Sequence, residues 1–175
     1  MQRKNILWIG FAAAVLIAAS TQAAFAGVDG KAAFEKLKGL AGEWQGKAGE
    51  EGMPAATVTY KVTSNGSVVM ETLMPGTDHE MITMYHMAGN DLVATHYCSA
   101  GNQPHLKLDQ EKSTPTQLVF AFDGGTNIDP AKDGHIHQGQ INLGADGQLE
   151  SIWTFYAGGQ KAKSMDFHLT RVAAK

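Results

Sequence analysis

Cysteine is almost absent from this chain: Cys98 is the only one in 175 residues. No intrachain disulfide can form, so the core must hold without covalent staples. A basic run is absent too, with 14 Lys and Arg against 17 Asp and Glu. A mildly acidic chain of this kind is a poor match for polyphosphate, which excludes nucleic acid as partner. The sequence has no Gly-x-Ser-x-Gly elbow, no glycine-rich phosphate loop, no His-Glu-x-x-His pattern and no paired carboxylate motif. None of the common hydrolytic or nucleotide-binding chemistries is therefore marked out.

Long apolar runs are missing except at the start, "MQRKNILWIGFAAAVLIAASTQAAFA". Arg3 and Lys4 precede an apolar stretch from Ile6 to Ala19, and Ala24-Phe25-Ala26 offers small residues to a peptidase. This is the pattern of a secretory signal cleaved after Ala26. The run is shorter than the roughly 20 residues that span a bilayer, and no charged stop-transfer segment follows. The expectation is an exported protein, periplasmic or secreted, with no integral membrane segment after cleavage. Residues 27–175 then form a single domain with 12 basic and 17 acidic side chains.

Helical period appears once, in "GVDGKAAFEKLKGLAGEW", where Ala33, Phe34, Leu37 and Leu40 recur at three- and four-residue steps. Asp29 suits its start and Gly42 its close. Beyond Trp44 the chain reads as strands at 43–48, 55–63, 67–73, 79–87, 91–98, 104–109, 116–122, 134–143, 148–156 and 162–172. Two-residue alternation is clear in Val58, Tyr60 and Val62, in Leu118, Phe120 and Phe122, and in Met165, Phe167 and Leu169. Turn residues break the runs at Ser64-Asn65-Gly66, Gly89-Asn90 and Ala145-Asp146-Gly147. Such short links favour antiparallel neighbours. The fold class expected is all-β: an up-and-down antiparallel barrel of about ten strands with a short N-terminal helix, since closure removes exposed edges. An open two-sheet sandwich is the alternative. The longest irregular link, 123–134, would lie at the barrel mouth.

Two short motifs carry a family resemblance. "LAGEWQGKAG", Leu40–Gly49, is similar to the opening strand of lipocalin-like and nitrobindin-like barrels, where a Gly-x-Trp-x-Gly stretch follows a short helix. "SMDFHLTRVAAK" resembles their last strand, which ends in a basic residue. The resemblance implies that Trp44 and Arg171 form a structural cation–π pair at one barrel end. "YHMAGNDLVATHYC" and "GNQPH" look like an uncharacterised group of exported bacterial proteins with the same outline. Nitrobindin-like barrels hold haem through a histidine near the C-terminus. Here the nearest one, His168, alternates with the apolar Phe167 and Leu169, so that role is not carried onto it.

Candidate site residues are few. His96 and Cys98 share one strand face about 7 Å apart, and His135 and His137 repeat the spacing on another strand. Converging, the four would suit zinc or copper, and haem is a further cofactor candidate. The first pair shares its face with Leu92 and Ala94, the second with Ile141 and Leu143, so the second leans inward more clearly. Register decides the facing. A three-residue turn after Met87 sets Ile82 opposite His96 and His86 opposite Leu92. A two-residue turn at Gly89-Asn90 sets Thr83 opposite His96 and His86 opposite Val93. Glu71, between Val69 and Leu73, is an inward carboxylate that needs a partner. Trp153 and Phe155 would line a cavity or pack it, and the methionines from Met70 to Met87 suit an adaptable apolar lining. The leading expectation is a small-ligand barrel using His86, His96, Cys98, His135, His137, Glu71 and Trp153. The alternatives are a metal or haem protein, and an enzyme at the mouth near Asn102, Gln103 and His105.

Overall fold

A computed structural model describes residues 27–49, 55–145 and 147–173, so the segment read as a signal, 1–26, lies outside it. One helix, α1 (Gly30–Gly39), precedes ten strands: β1 (Gly42–Ala48), β2 (Ala55–Thr63), β3 (Val68–Leu73), β4 (Met81–Ala88), β5 (Asp91–Tyr97), β6 (Gln103–Leu108), β7 (Gln117–Thr126), β8 (His135–Leu143), β9 (Gln148–Ala157) and β10 (Gln160–Arg171). Each strand pairs antiparallel with its neighbours in sequence, and β1 pairs with β10. The sheet is a closed ten-stranded up-and-down barrel.

Alternation builds the wall. On β2, Ala56, Val58 and Tyr60 are buried inside while Ala55 and Lys61 are exposed. On β1, Trp44 and Ala48 point in, and Glu43, Gln45 and Lys47 meet solvent. An apolar interior with a polar outer face is the reverse of a lipid-embedded barrel. No helix among the described residues is long and apolar enough to cross a membrane.

The helix plugs one end. Asp29 caps it, its carboxylate accepting from Ala32 N–H at 2.8 Å, and Ala33, Phe34 and Leu37 are buried against the core. Gly30 backs onto the β4–β5 turn, where a Cβ would come within 2.5 Å of the Asn90 carbonyl. The helix ends at Leu40, earlier than the expected Gly42, and Gly42 instead opens β1 at φ 133°. Gly46 lets β1 and β10 approach, since a Cβ there would sit 1.9 Å from the His168 carbonyl. Between these glycines Trp44 is buried and donates its Nε1–H to Leu40 O at 2.8 Å. The Arg171 guanidinium lies 4.4 Å above the indole and donates to Ala41 O and Gly39 O. That one cation satisfies backbone carbonyls that the helix end leaves without partners.

The β4–β5 hairpin takes the two-residue loop. Ala88 pairs with Asp91, His86 with Val93 and Thr83 with His96. Gly89 supplies the positive φ, 63°, that such a tight loop requires at its first position. At the far end, β7 runs on to Thr126 and takes the first part of the 123–134 link into the wall.

Candidate functional site

Buried residues of α1 join the apolar core at one end of the barrel, and the opposite end is hollow. The hollow is a cavity of about 790 Å³, within the size range of small-molecule sites. Its wall comes from the strand ends remote from the helix: Ala48 and Ala56, Leu73, Met81, Ile136, Phe155, Met165 and Phe167, with His96, Cys98 and Trp153 among them. Asp78, His79 and Lys163 stand at its open rim and are exposed. The expected 123–134 loop, now 127–134, connects strands at this end.

A polar row crosses the inner wall where packed core gives way to cavity. Tyr60, Glu71, Thr83 and His96 are successive cross-strand partners on β2, β3, β4 and β5. Glu71 is fully buried and accepts from Tyr60 OH at 2.9 Å and Tyr85 OH at 2.6 Å. Burial pushes its pKa up to about 7, although the two phenol hydrogen bonds act to lower it. Burial, with the Glu71 charge adding to it, also holds both phenols well above their ordinary range. The partner that a lone acid needed is thus a pair of tyrosines.

His96 closes the row. Its ring is fully buried, and Nδ1 lies 2.9 Å from Thr83 Oγ1. Burial alone drives its pKa down to about 4, so it is neutral at pH 7. Nε2 has no hydrogen-bond partner among the described residues. The Trp153 ring lies 5.1 Å away, and its buried Nε1 is also unpartnered. Gly139, the cross-strand partner of Trp153, makes room for the indole: a Cβ there would meet it at 3.0 Å. Unmatched buried polar atoms are rare in folded proteins and call for an explanation. Here the two residues that carry them both line one apolar cavity.

His135 and His137 are elsewhere. A β-bulge between Ile136 and Gln138 changes the facing of β8, and Ile136 lines the cavity in place of the histidines. Both imidazoles instead pack with Phe122 and Tyr156, His137 stacking on Tyr156 at 3.9 Å. His135 Nδ1 donates to the Asp133 carbonyl at 3.0 Å, and its Nε2 lies 3.1 Å from His137 Nδ1. Desolvation first, then the neighbouring His135, lowers the His137 pKa. His86 is on the outer surface, opposite Val93, and does not reach the cavity. His168 is also outside, 3.4 Å from Glu150. The four residues considered as one metal set are therefore split, with His96 and Cys98 at the cavity and His135 and His137 apart. Among the described residues no three His, Cys, Asp or Glu side chains gather as metal ligands.

At the mouth, Asn102 donates to Gly134 O at 2.7 Å, and Gln103 accepts from Thr126 and Asn127. These contacts tie two open-end loops together. Tyr60 and Tyr85 are the residues that sequence reasoning missed as site partners, whereas Thr83 was one of two residues that could stand opposite His96. The two-residue turn at Gly89-Asn90 was the signal for Thr83, because it alone sets that hydroxyl opposite His96. Compared with models of protein families and with curated proteins, the chain matches none.

Proposed function

We propose that this chain is an exported, lipocalin-like barrel that holds a small, mostly apolar molecule in the lumen end remote from α1. The observation that carries the reading is an apolar cavity of about 790 Å³ lined by two residues, His96 and Trp153, whose buried Nε2 and Nε1 have no partner among the described residues. A site of that make-up, apolar with a few placed polar groups, fits a small organic ligand. Its mouth faces away from the helical plug, so entry needs no disruption of the packed half. The signal-like leading segment supports export, with the ligand then met outside the cytoplasm. Native mass spectrometry of protein purified from its own host tests the proposal. A stoichiometric adduct released by organic solvent is expected. Absence of an adduct, together with no saturable uptake of the neutral dye Nile red, would sink it.

A second reading has one observation in its favour. His96 is held through Nδ1 by Thr83, which leaves Nε2 as a single histidine ligand for haem iron or another metal ion. Cys98, half-buried on the same cavity wall, is a second donor there. Titration with haemin and with zinc separates this reading from the first. A Soret shift lost in His96→Ala would support it, and an unchanged spectrum would remove it.

A further inference from the structure

The floor of the cavity restricts what a ligand can present to it. Trp153 Nε1 is a donor only, so the ligand atom beside it must accept. His96 Nε2 either donates or accepts, according to which way the Thr83 hydroxyl is turned. Among the described residues that line the cavity no cation lies at this depth: Lys163 is exposed at the rim. The nearest ionisable neighbour along the polar row is Glu71, which ionises to a negative charge, and each of its oxygens already accepts from a phenol. An anion at the floor would be buried without a counter-ion and would face that carboxyl. An ammonium would meet the positive edge of the indole N–H, and each Glu71 oxygen already accepts from a phenol.

Resting on the small-ligand reading above, we propose that the ligand is an uncharged, oxygen-bearing apolar molecule, its carbonyl or hydroxyl oxygen seated between Trp153 Nε1 and His96 Nε2. A carbonyl oxygen has two lone pairs and can take both donors. A hydroxyl can accept from the indole and donate to the imidazole. Burial keeps His96 neutral, with its pKa near 4, which agrees with a neutral partner. His96 and Trp153 are 0% and 4% exposed, as deeply buried as the apolar lining residues Leu73 and Phe167. Both nitrogens are closed off from the open cavity, so the ligand reaches them only when a neighbouring wall side chain shifts; Met165, the cross-strand partner of Trp153, and Met81 are flexible thioethers on that wall. The apolar remainder lies along Phe155, Leu73 and Ile136, and any charged end stays at the rim with Lys163 and Asp78.

The test is displacement of Nile red by five molecules of one chain length: undecane, methyl nonyl ketone, undecanol, undecanoate and undecylamine. The ketone or the alcohol should compete about tenfold better than undecane, as expected for two neutral hydrogen bonds. Undecanoate and undecylamine should compete no better than undecane. Trp153→Phe and His96→Phe should each bring the oxygen-bearing compounds down towards undecane, and far-UV circular dichroism identifies a variant that has not folded. Equal competition by all five would overturn the inference while leaving the binding barrel standing. Tightest binding by undecanoate or undecylamine would overturn it as well. If Nile red and all five fail to bind, the small-ligand reading falls and takes the inference with it.

Discussion

Replacing Glu71 by glutamine exposes the cost of the buried charge. The carboxyl ionises near 4.5 in an unfolded chain and near 7 in the barrel. Its raised folded pKa makes the native state weaker as pH rises. The neutral acid costs nothing below about pH 4.5, and the full penalty is present above about pH 7. The difference corresponds to about 3 kcal/mol, with one pH unit worth roughly 1.4 kcal/mol. His96 has the opposite sign. Its folded pKa is depressed from 6.5 to about 4, so its contribution is whole above pH 6.5 and is lost as pH falls towards 4. Between roughly pH 4.5 and 6.5 the two slopes oppose each other and these two contributions nearly cancel. Glu71→Gln keeps a side chain of the same shape that can still accept from one tyrosine and donate to the other. Urea unfolding followed by circular dichroism at several pH values is the assay. Relative to wild type, the variant should gain about 3 kcal/mol between pH 4 and pH 8, whatever its constant offset from altered hydrogen bonding. A wild-type-minus-variant difference that does not change with pH would refute the reasoning.

Two further substitutions probe the ends of the barrel. Gly139→Val pushes a branched side chain into space held by the Trp153 ring, so it should cost about 1–3 kcal/mol and shift Trp153 emission. Unchanged stability and emission would show that the ring is free to move. Arg171→Leu removes the cation over Trp44 and two hydrogen bonds to the carbonyls of Gly39 and Ala41. Loss of about 2 kcal/mol in chemical denaturation is expected, with ligand uptake at the opposite end unaffected.

The barrel was legible because its signals are local. Alternation along β2 and β10 and the turn residues between strands place the strands to within a few residues, except where β7 extends through Asp123-Gly124-Gly125. Those residues look like a turn, but pairing with β6 carries them into the wall. The facing of His96 was legible once the β4–β5 loop length was settled, because that length fixes the register. His135 and His137 were not. Their alternation with Ile141 points inward, and a bulge with no mark in the sequence reverses it at Ile136. The tyrosine pair around Glu71 was illegible for another reason. It depends on the registers of β2, β3 and β4 together, and Tyr85 reaches Glu71 diagonally rather than as its direct partner. The glycines of the Gly-x-Trp-x-Gly stretch were recognisable as a pattern, whereas their cause, the approach of β1 to β10, appears only in the fold.

The central claim is that the lumen end remote from α1 receives the ligand. Ala56 is buried on that wall and its side chain borders the cavity, so Ala56→Phe places a ring where the ligand would lie. Nile red titration of this variant, beside His168→Ala on the outer surface, measures the claim directly. The account predicts that Ala56→Phe weakens uptake at least tenfold with the fold intact by circular dichroism, and that His168→Ala leaves it unchanged. Full-affinity uptake by a folded Ala56→Phe variant would contradict it and place the ligand outside the lumen.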